Sequence, residues 1–139
     1  EFKGKFNGAD VYDDYAHHPG ELKALFDTLE KLEYKRTIVV FQPHTYSRTK
    51  ASFDDFAKAL AAADDVILAD IYAAREKDNL GISSSDLCEA IKSYGTSAQY
   101  FGSFDEIENF VLQNCSPGDL LITMGAGDMR KIADSLLGL

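Results

Sequence analysis

The stretch Thr37-Ile38-Val39-Val40-Phe41 is apolar at nearly every position and rich in β-branched residues. Such a run suits a strand covered on both faces, as in a parallel sheet. Val66-Ile67-Leu68-Ala69 and Leu120-Leu121-Ile122-Thr123 repeat the pattern, and residues 98–101 form a weaker version of it. Between these runs the apolar period lengthens to that of a helix. Leu22, Leu25, Phe26 and Leu29 share one helical face, as do Phe53, Phe56, Ala57 and Leu60 on a second helix. A third helix is expected around Asp86 to Ile91. A fourth carries Ile107, Phe110 and Val111, and a last one, from about Asp128, carries Met129, Ile132, Ala133 and Leu136.

The local punctuation agrees with this division. Pro19 suits a first helical position, and Glu21 complements the positive end of the helix dipole. Ser103-x-x-Glu106 is a capping box, Pro117-Gly118 marks a turn, and Gly138 suits a helix end. Asn7-Gly8 signals a tight hairpin joining a short edge strand to a second strand at Asp10 to Asp13. Strands alternating with helices imply parallel pairing through right-handed crossovers. The expected fold is therefore α/β and Rossmann-like. Its sheet is doubly wound and mostly parallel, with helices on both faces and an antiparallel N-terminal edge hairpin.

At 139 residues, 45% hydrophobic and 27% charged, the chain reads as one domain over residues 1–139, able to bury a real core. No apolar run approaches the roughly 20 residues of a spanning helix, so no membrane partner is expected. The opening Glu1-Phe2-Lys3-Gly4 carries neither a signal region nor an initiator Met. It reads as the start of a piece cut from a longer, cytoplasmic protein. A net charge of -9 argues against affinity for a nucleic-acid backbone, though not against a small phosphorylated ligand. Cys88 and Cys115 form no C-x-x-C pair or zinc spacing, and a structural disulfide is not expected.

In open α/β sheets, ligands sit at the carboxyl ends of the strands. Four segments leave those ends with polar residues: Asp13 to His18, Gln42 to Arg48, Asp70 to Lys77, and Met124 to Asp128. All four are expected along one edge of the sheet. Asp13-Asp14-Tyr15-Ala16-His17-His18 could ligate a divalent metal or bind a nucleotide, with Tyr15 offering a stacking face. The plainer alternative makes Asp13 and His18 turn and cap residues. In the second segment, Arg48 offers a planar fork for carboxylate or phosphate, and His44 can move a proton near neutral pH. The alternative pairs Arg48 with an acid on the following helix and makes Ser47 or Thr49 a cap. Arg75 and Glu76 are the candidates in the third segment, which is otherwise a solvated charged loop. Gly125-Ala126-Gly127-Asp128 allows a ligand to approach the backbone, or is a tight turn with Asp128 as cap. No G-x-x-x-x-G-K-[ST] and no G-x-S-x-G occurs.

Together DDYAHHP (residues 13–19), FQPHTYSRT (41–49), DIYAAREK (70–77) and TMGAGD (123–128) resemble the third, C-terminal domain of the Mur ligases. Within them, the resemblance is to the members that add L-alanine to UDP-N-acetylmuramate. It covers essentially the whole chain, in the family's order and spacing. It implies one domain of a three-domain, ATP-dependent amide ligase of peptidoglycan precursor synthesis, and so of cell-wall biogenesis, cell shape and division. In that family ATP phosphorylates the muramic acid carboxylate, and the amine of L-alanine attacks the acyl phosphate. The phosphate loop and most Mg²⁺ ligands belong to the central domain, and the UDP group to the N-terminal one; no metal ligand is assigned to this chain. The third domain closes over ATP and brings the amino acid.

By position, the resemblance implies that Asp14, Tyr15 and His17 face ATP, that His44 and Arg48 face L-alanine, and that Asp14, His17 and His44 serve catalysis. Arg75, Glu76, Gly125 and Asp128 are implied as loop contacts. Thr45 stands where some members carry Arg, and the family's arginine-bearing segment before this domain is not in the sequence. Two rival readings are a self-sufficient metal-dependent hydrolase using Asp13, Asp14, His17 and His18, and a non-catalytic nucleotide-binding module.

Overall fold

A computed structural model describes residues 1–125 and 128–139. The hairpin comes first: β1 (Phe2–Phe6) pairs antiparallel with β2 (Ala9–Asp14). Asn7 and Gly8 both take positive φ, 50° and 80°, as the tight turn expected of Asn-Gly requires. The remaining elements are α1 (Pro19–Leu29), β3 (Arg36–Phe41), α2 (Tyr46–Ala51), α3 (Phe53–Leu60), β4 (Asp65–Leu68) and α4 (Ser84–Ser93). They are followed by β5 (Ser97–Tyr100), α5 (Phe104–Asn114), β6 (Asp119–Met124) and α6 (Arg130–Leu137).

The six strands lie in the order β1-β2-β6-β3-β4-β5, parallel apart from the hairpin. Alternation along β3 shows the double winding. Val39 and Phe41 pack with Leu22 and Phe26 of α1, Phe56 and Leu60 of α3, and Leu87 and Ile91 of α4. Ile38 and Val40 pack on the other face with Ile107 and Val111 of α5 and Ile132 and Ala133 of α6. All six residues of β6 are buried, as a strand covered on both faces must be.

One element and one boundary differ from the expectation. The expected second helix is α3, and a short unexpected helix, α2, precedes it, set apart by Ser52, whose φ -119°, ψ 28° leaves helical geometry. Residues 46–51 carry no apolar period, burying only Thr49, so the pattern in the sequence marks α3 alone. The last helix starts at Arg130 with Met129 in the cap position; Asp128 is exposed and pairs with Lys131 at 3.5 Å instead of capping. Gly138 ends that helix in the left-handed region, as expected. Both cysteines are free and buried, Cys88 in the first core and Cys115 in the second. No helix among the described residues is long and apolar enough to cross a membrane.

Adjacent strands in the middle of the sheet send their chains to opposite faces. The helices after β2 and β3 pack on the first core, whereas α6 after β6 packs on the second. Such a switch opens a crevice at the carboxyl ends of the strands. The register sets Asp14 beside Met124, Met124 beside Phe41, and Phe41 beside Leu68. The four polar segments therefore leave the sheet side by side.

Candidate functional site

The segment after β2 is organised by its own carboxylates. Asp13 accepts a 2.7 Å hydrogen bond from the Thr123 hydroxyl, which ties β2 to β6. Asp14 accepts from the Ala16 backbone N–H at 2.8 Å and so bends the chain out of the strand. Glu21, in the first turn of α1, accepts from the backbone N–H groups of His17 and His18 at 3.3 and 3.1 Å. Those bonds, His17's first, hold the Glu21 carboxyl below its ordinary range. Asp13 and His18 thus serve as tie and cap, while Tyr15 faces outward from the turn and His17 is largely covered. Tyr15 is 69% exposed, and its ring meets His17 edge-on at 5.2 Å.

After β3 the chain passes Gln42, buried and donating to the Asp70 carbonyl at 3.1 Å. His44 then lies in an isolated parallel bridge with Tyr72: the Tyr72 N–H donates to the Pro43 carbonyl at 2.8 Å, and the Thr45 N–H to the Tyr72 carbonyl at 2.7 Å. The His44 and Tyr72 rings lie 5.3 Å apart, and those of His44 and His17 6.4 Å apart. Burial lowers the His44 pKa, and the nearby Arg48 adds to the effect against the opposing Glu76 charge. His44 is therefore held as a neutral imidazole. Its Nδ1 is buried without a hydrogen-bond partner among the described residues, a state that buried polar atoms rarely keep in the absence of a ligand or water.

Thr45 adopts φ 64°, ψ 145°, costly for a β-branched residue, of order 1–3 kcal/mol. Its neighbours hold it there. Its carbonyl accepts from the N–H and hydroxyl of Thr49, and its Oγ1 from the Arg48 N–H. Arg48 is exposed, and no carboxylate among the described residues lies within ion-pair distance of its guanidinium. The alternative that pairs Arg48 with an acid of the next helix is overturned, as is capping by Ser47 or Thr49; Thr45 caps.

Of the third segment, Arg75 is exposed while Glu76 turns inward onto the second segment. Its carboxylate accepts from the N–H groups of Tyr46 and Ser47, and bonds from Ser47 and then Tyr46 keep its pKa low. Tyr72, which the sequence did not distinguish from the rest of its loop, makes the ring contact with His44. Its only sequence signal is an aromatic at a strand end. Gly125 is buried at the end of β6, and Ala126 and Gly127 of the glycine-bearing turn lie outside the described residues.

Histidine 17, His18 and Glu21 place ligand atoms within 4.8 Å of one another. The set does not fit Mg²⁺, which prefers oxygen ligands in octahedral geometry. One Glu21 oxygen is already taken by two N–H groups, and His17 Nδ1 lies 3.0 Å from the Tyr15 carbonyl. Asp13 and Asp14, which hold Thr123 and Ala16, do not join that set, so the four residues of the metal-dependent hydrolase reading are not gathered for one ion among the described residues.

Residues 1–127 match the family described as "Mur ligase, glutamate ligase domain". UDP-N-acetylmuramate–L-alanine ligase of Lachnospira eligens is 58% identical over 137 residues, covering 99% of this chain and 30% of that protein. The enzyme of the same name from Agathobacter rectalis is 53% identical over 137 residues, with the same shares of 99% and 30%. Among solved structures, the UDP-N-acetylmuramate-alanine ligase MurC of Thermotoga maritima superposes with a TM-score of 0.74 at 27% identity, covering 95% of this chain and 26% of that one. The chain thus spans about 30% of the length of the curated relatives it matches.

Proposed function

The chain belongs to the Mur ligase family as its C-terminal, glutamate ligase domain, and on that premise we propose that it is the amino-acid-presenting domain of an ATP-dependent ligase joining L-alanine to UDP-N-acetylmuramate. The observation that carries the proposal is the approach of His17 and His44 from two separate strand ends to 6.4 Å, with Arg48, unpaired among the described residues, following on α2. One side of that pair suits a nucleotide and the other an amino acid.

In the proposed reaction the γ-phosphoryl of ATP passes to the muramic acid carboxylate, giving an acyl phosphate and ADP. The amine of L-alanine attacks the acyl carbon, the amide bond forms, inorganic phosphate leaves, and the amine gives up a proton. Arg48 binds the L-alanine carboxylate by its guanidinium fork. His44, as a neutral imidazole, can accept the departing proton. Asp14, Tyr15 and His17 face ATP: Tyr15 supplies a stacking face, and His17 can donate to a phosphate or ribose oxygen. Arg75, Gly125 and Asp128 are rim contacts in the closed state. Mg²⁺ would supply charge neutralisation on the phosphates, and its ligands are assigned to a central domain beyond this chain. Such an enzyme works in the cytoplasm, where its nucleotide substrates are.

The test is steady-state kinetics of the full-length enzyme. Losing a charge-assisted hydrogen bond costs roughly 1.5–3 kcal/mol, so Arg48→Ala should raise KM for L-alanine about 10- to 150-fold with KM for ATP little changed. A rise confined to ATP would reassign Arg48 to the nucleotide.

A further inference from the structure

We infer that Glu76 is a positioning residue for the amino-acid site: its carboxylate fixes the first turn of α2 and, through it, the placement of His44 and Arg48. The inference rests on the reading of those two residues as amino-acid ligands.

The argument is an accounting of hydrogen bonds. The first four N–H groups of a helix have no partner within the helix. Here that of Thr45 donates to the Tyr72 carbonyl at 2.7 Å and that of Arg48 to the Thr45 side chain at 3.3 Å. The two between them, of Tyr46 and Ser47, have neither option and reach across to Glu76 at 2.5 and 3.2 Å. Glu76 is delivered by a turn in which its own N–H donates to the Ala73 carbonyl at 3.0 Å, with Ala74 at φ 56°. One residue earlier than Tyr46, Thr45 sits at its strained φ of 64°, clamped from the other side by the Tyr72 carbonyl. Loop 70–77 therefore grips residues 43–47 at both ends of the strained residue. Six residues of helix with one buried side chain give α2 little packing of its own, so this grip sets where the Arg48 guanidinium stands.

Three variants of the full-length ligase test the idea, with Arg48→Ala measured beside them. Glu76→Ala leaves two N–H groups without acceptors and should raise KM for L-alanine about 10- to 100-fold, the scale on which displacement of a binding group acts. KM for ATP and for UDP-N-acetylmuramate should stay near wild type. Glu76→Gln keeps an acceptor oxygen at the same reach and should restore most of the affinity. Glu76→Asp keeps the charge but shortens the reach and should not. If Glu76→Ala does not fold, the contrast between Gln and Asp decides. An unchanged KM for L-alanine in Glu76→Ala, or Asp outperforming Gln, overturns the inference. If Arg48→Ala also leaves that KM unmoved, the amino-acid site itself has been misplaced; if it raises KM while the Glu76 variants do not, the positioning role alone fails.

Discussion

A Cβ added to Gly125 would stand 2.8 Å from the Gln42 carbonyl oxygen, and the residue's φ of 134° is one that side chains rarely adopt. Gly125 is therefore required by the closeness of two strand ends, whatever a ligand does beside it. Gly125→Ala should cost about 1–3 kcal/mol from backbone conformation alone, with the steric overlap adding to it. Urea denaturation should show a lower midpoint at unchanged slope; an unaltered midpoint would mean that the crevice yields freely. At this scale the sequence was partly readable. His44 and Arg48 are chemically distinctive and follow the apolar strand β3, and His17 is one of two adjacent histidines after β2. Glu76 looked like one charge among several in a solvated loop, because its role depends on where residues 46 and 47 present their N–H groups. The strain at Thr45 is invisible in sequence for the same reason, since nothing about a threonine announces positive φ.

Elements are joined by ties that side chains make across the sheet. Arg36, opening β3, bonds Asp65 of β4 at 3.2 Å and Asp119 of β6 at 2.7 Å, and it also donates to the Asn114 carbonyl that closes α5. Asp119 is 3% exposed. Burial raises its pKa, but Arg36 and the N–H and hydroxyl of Ser116 outweigh that, and the net shift is downward. A carboxyl with a lowered folded pKa stabilises the protein above its unfolded value of about 3.9, and that contribution is lost as pH falls through the folded pKa. Stability should accordingly decline below about pH 4. Asp119→Asn should start lower by about 1–3 kcal/mol at neutral pH and show a shallower acid decline. Equal acid slopes in the two proteins would remove Asp119 from the account. Strands and helices themselves were largely legible, because burial on two faces forces apolar runs and burial on one forces a 3.6 period. The break at Ser52 was not, since α2 is held by hydrogen bonds rather than by an apolar face.

The molecule carries both of its cores within these residues, one on each face of the sheet. The isolated chain should therefore unfold cooperatively by circular dichroism, and it should not turn over. Phosphoryl transfer needs a phosphate cradle and bound Mg²⁺, and this chain has no phosphate-loop motif. Phosphate release from Mg²⁺-ATP, UDP-N-acetylmuramate and L-alanine should stay at background; enzyme-like release abolished by His17→Ala would refute the assignment. The fold class and the shared edge of the four segments were readable at this scale. The strand order was not, because β6 fits equally well in sequence terms at an edge or in the middle.

That middle place for β6 matters while the protein is being made. Asp10 pairs with Leu120, and Arg36 with Asp119, so neither β2 nor β3 meets its inner neighbour until residues 119–124 have left the ribosome. Between the emergence of β5 and that of β6, the hairpin and the β3-β4-β5 piece have no strand to pair with along their inner edges, and α1 joins them. The last of these six strands to be translated is the one that turns two incomplete halves into a single sheet, and the crevice between them depends on it.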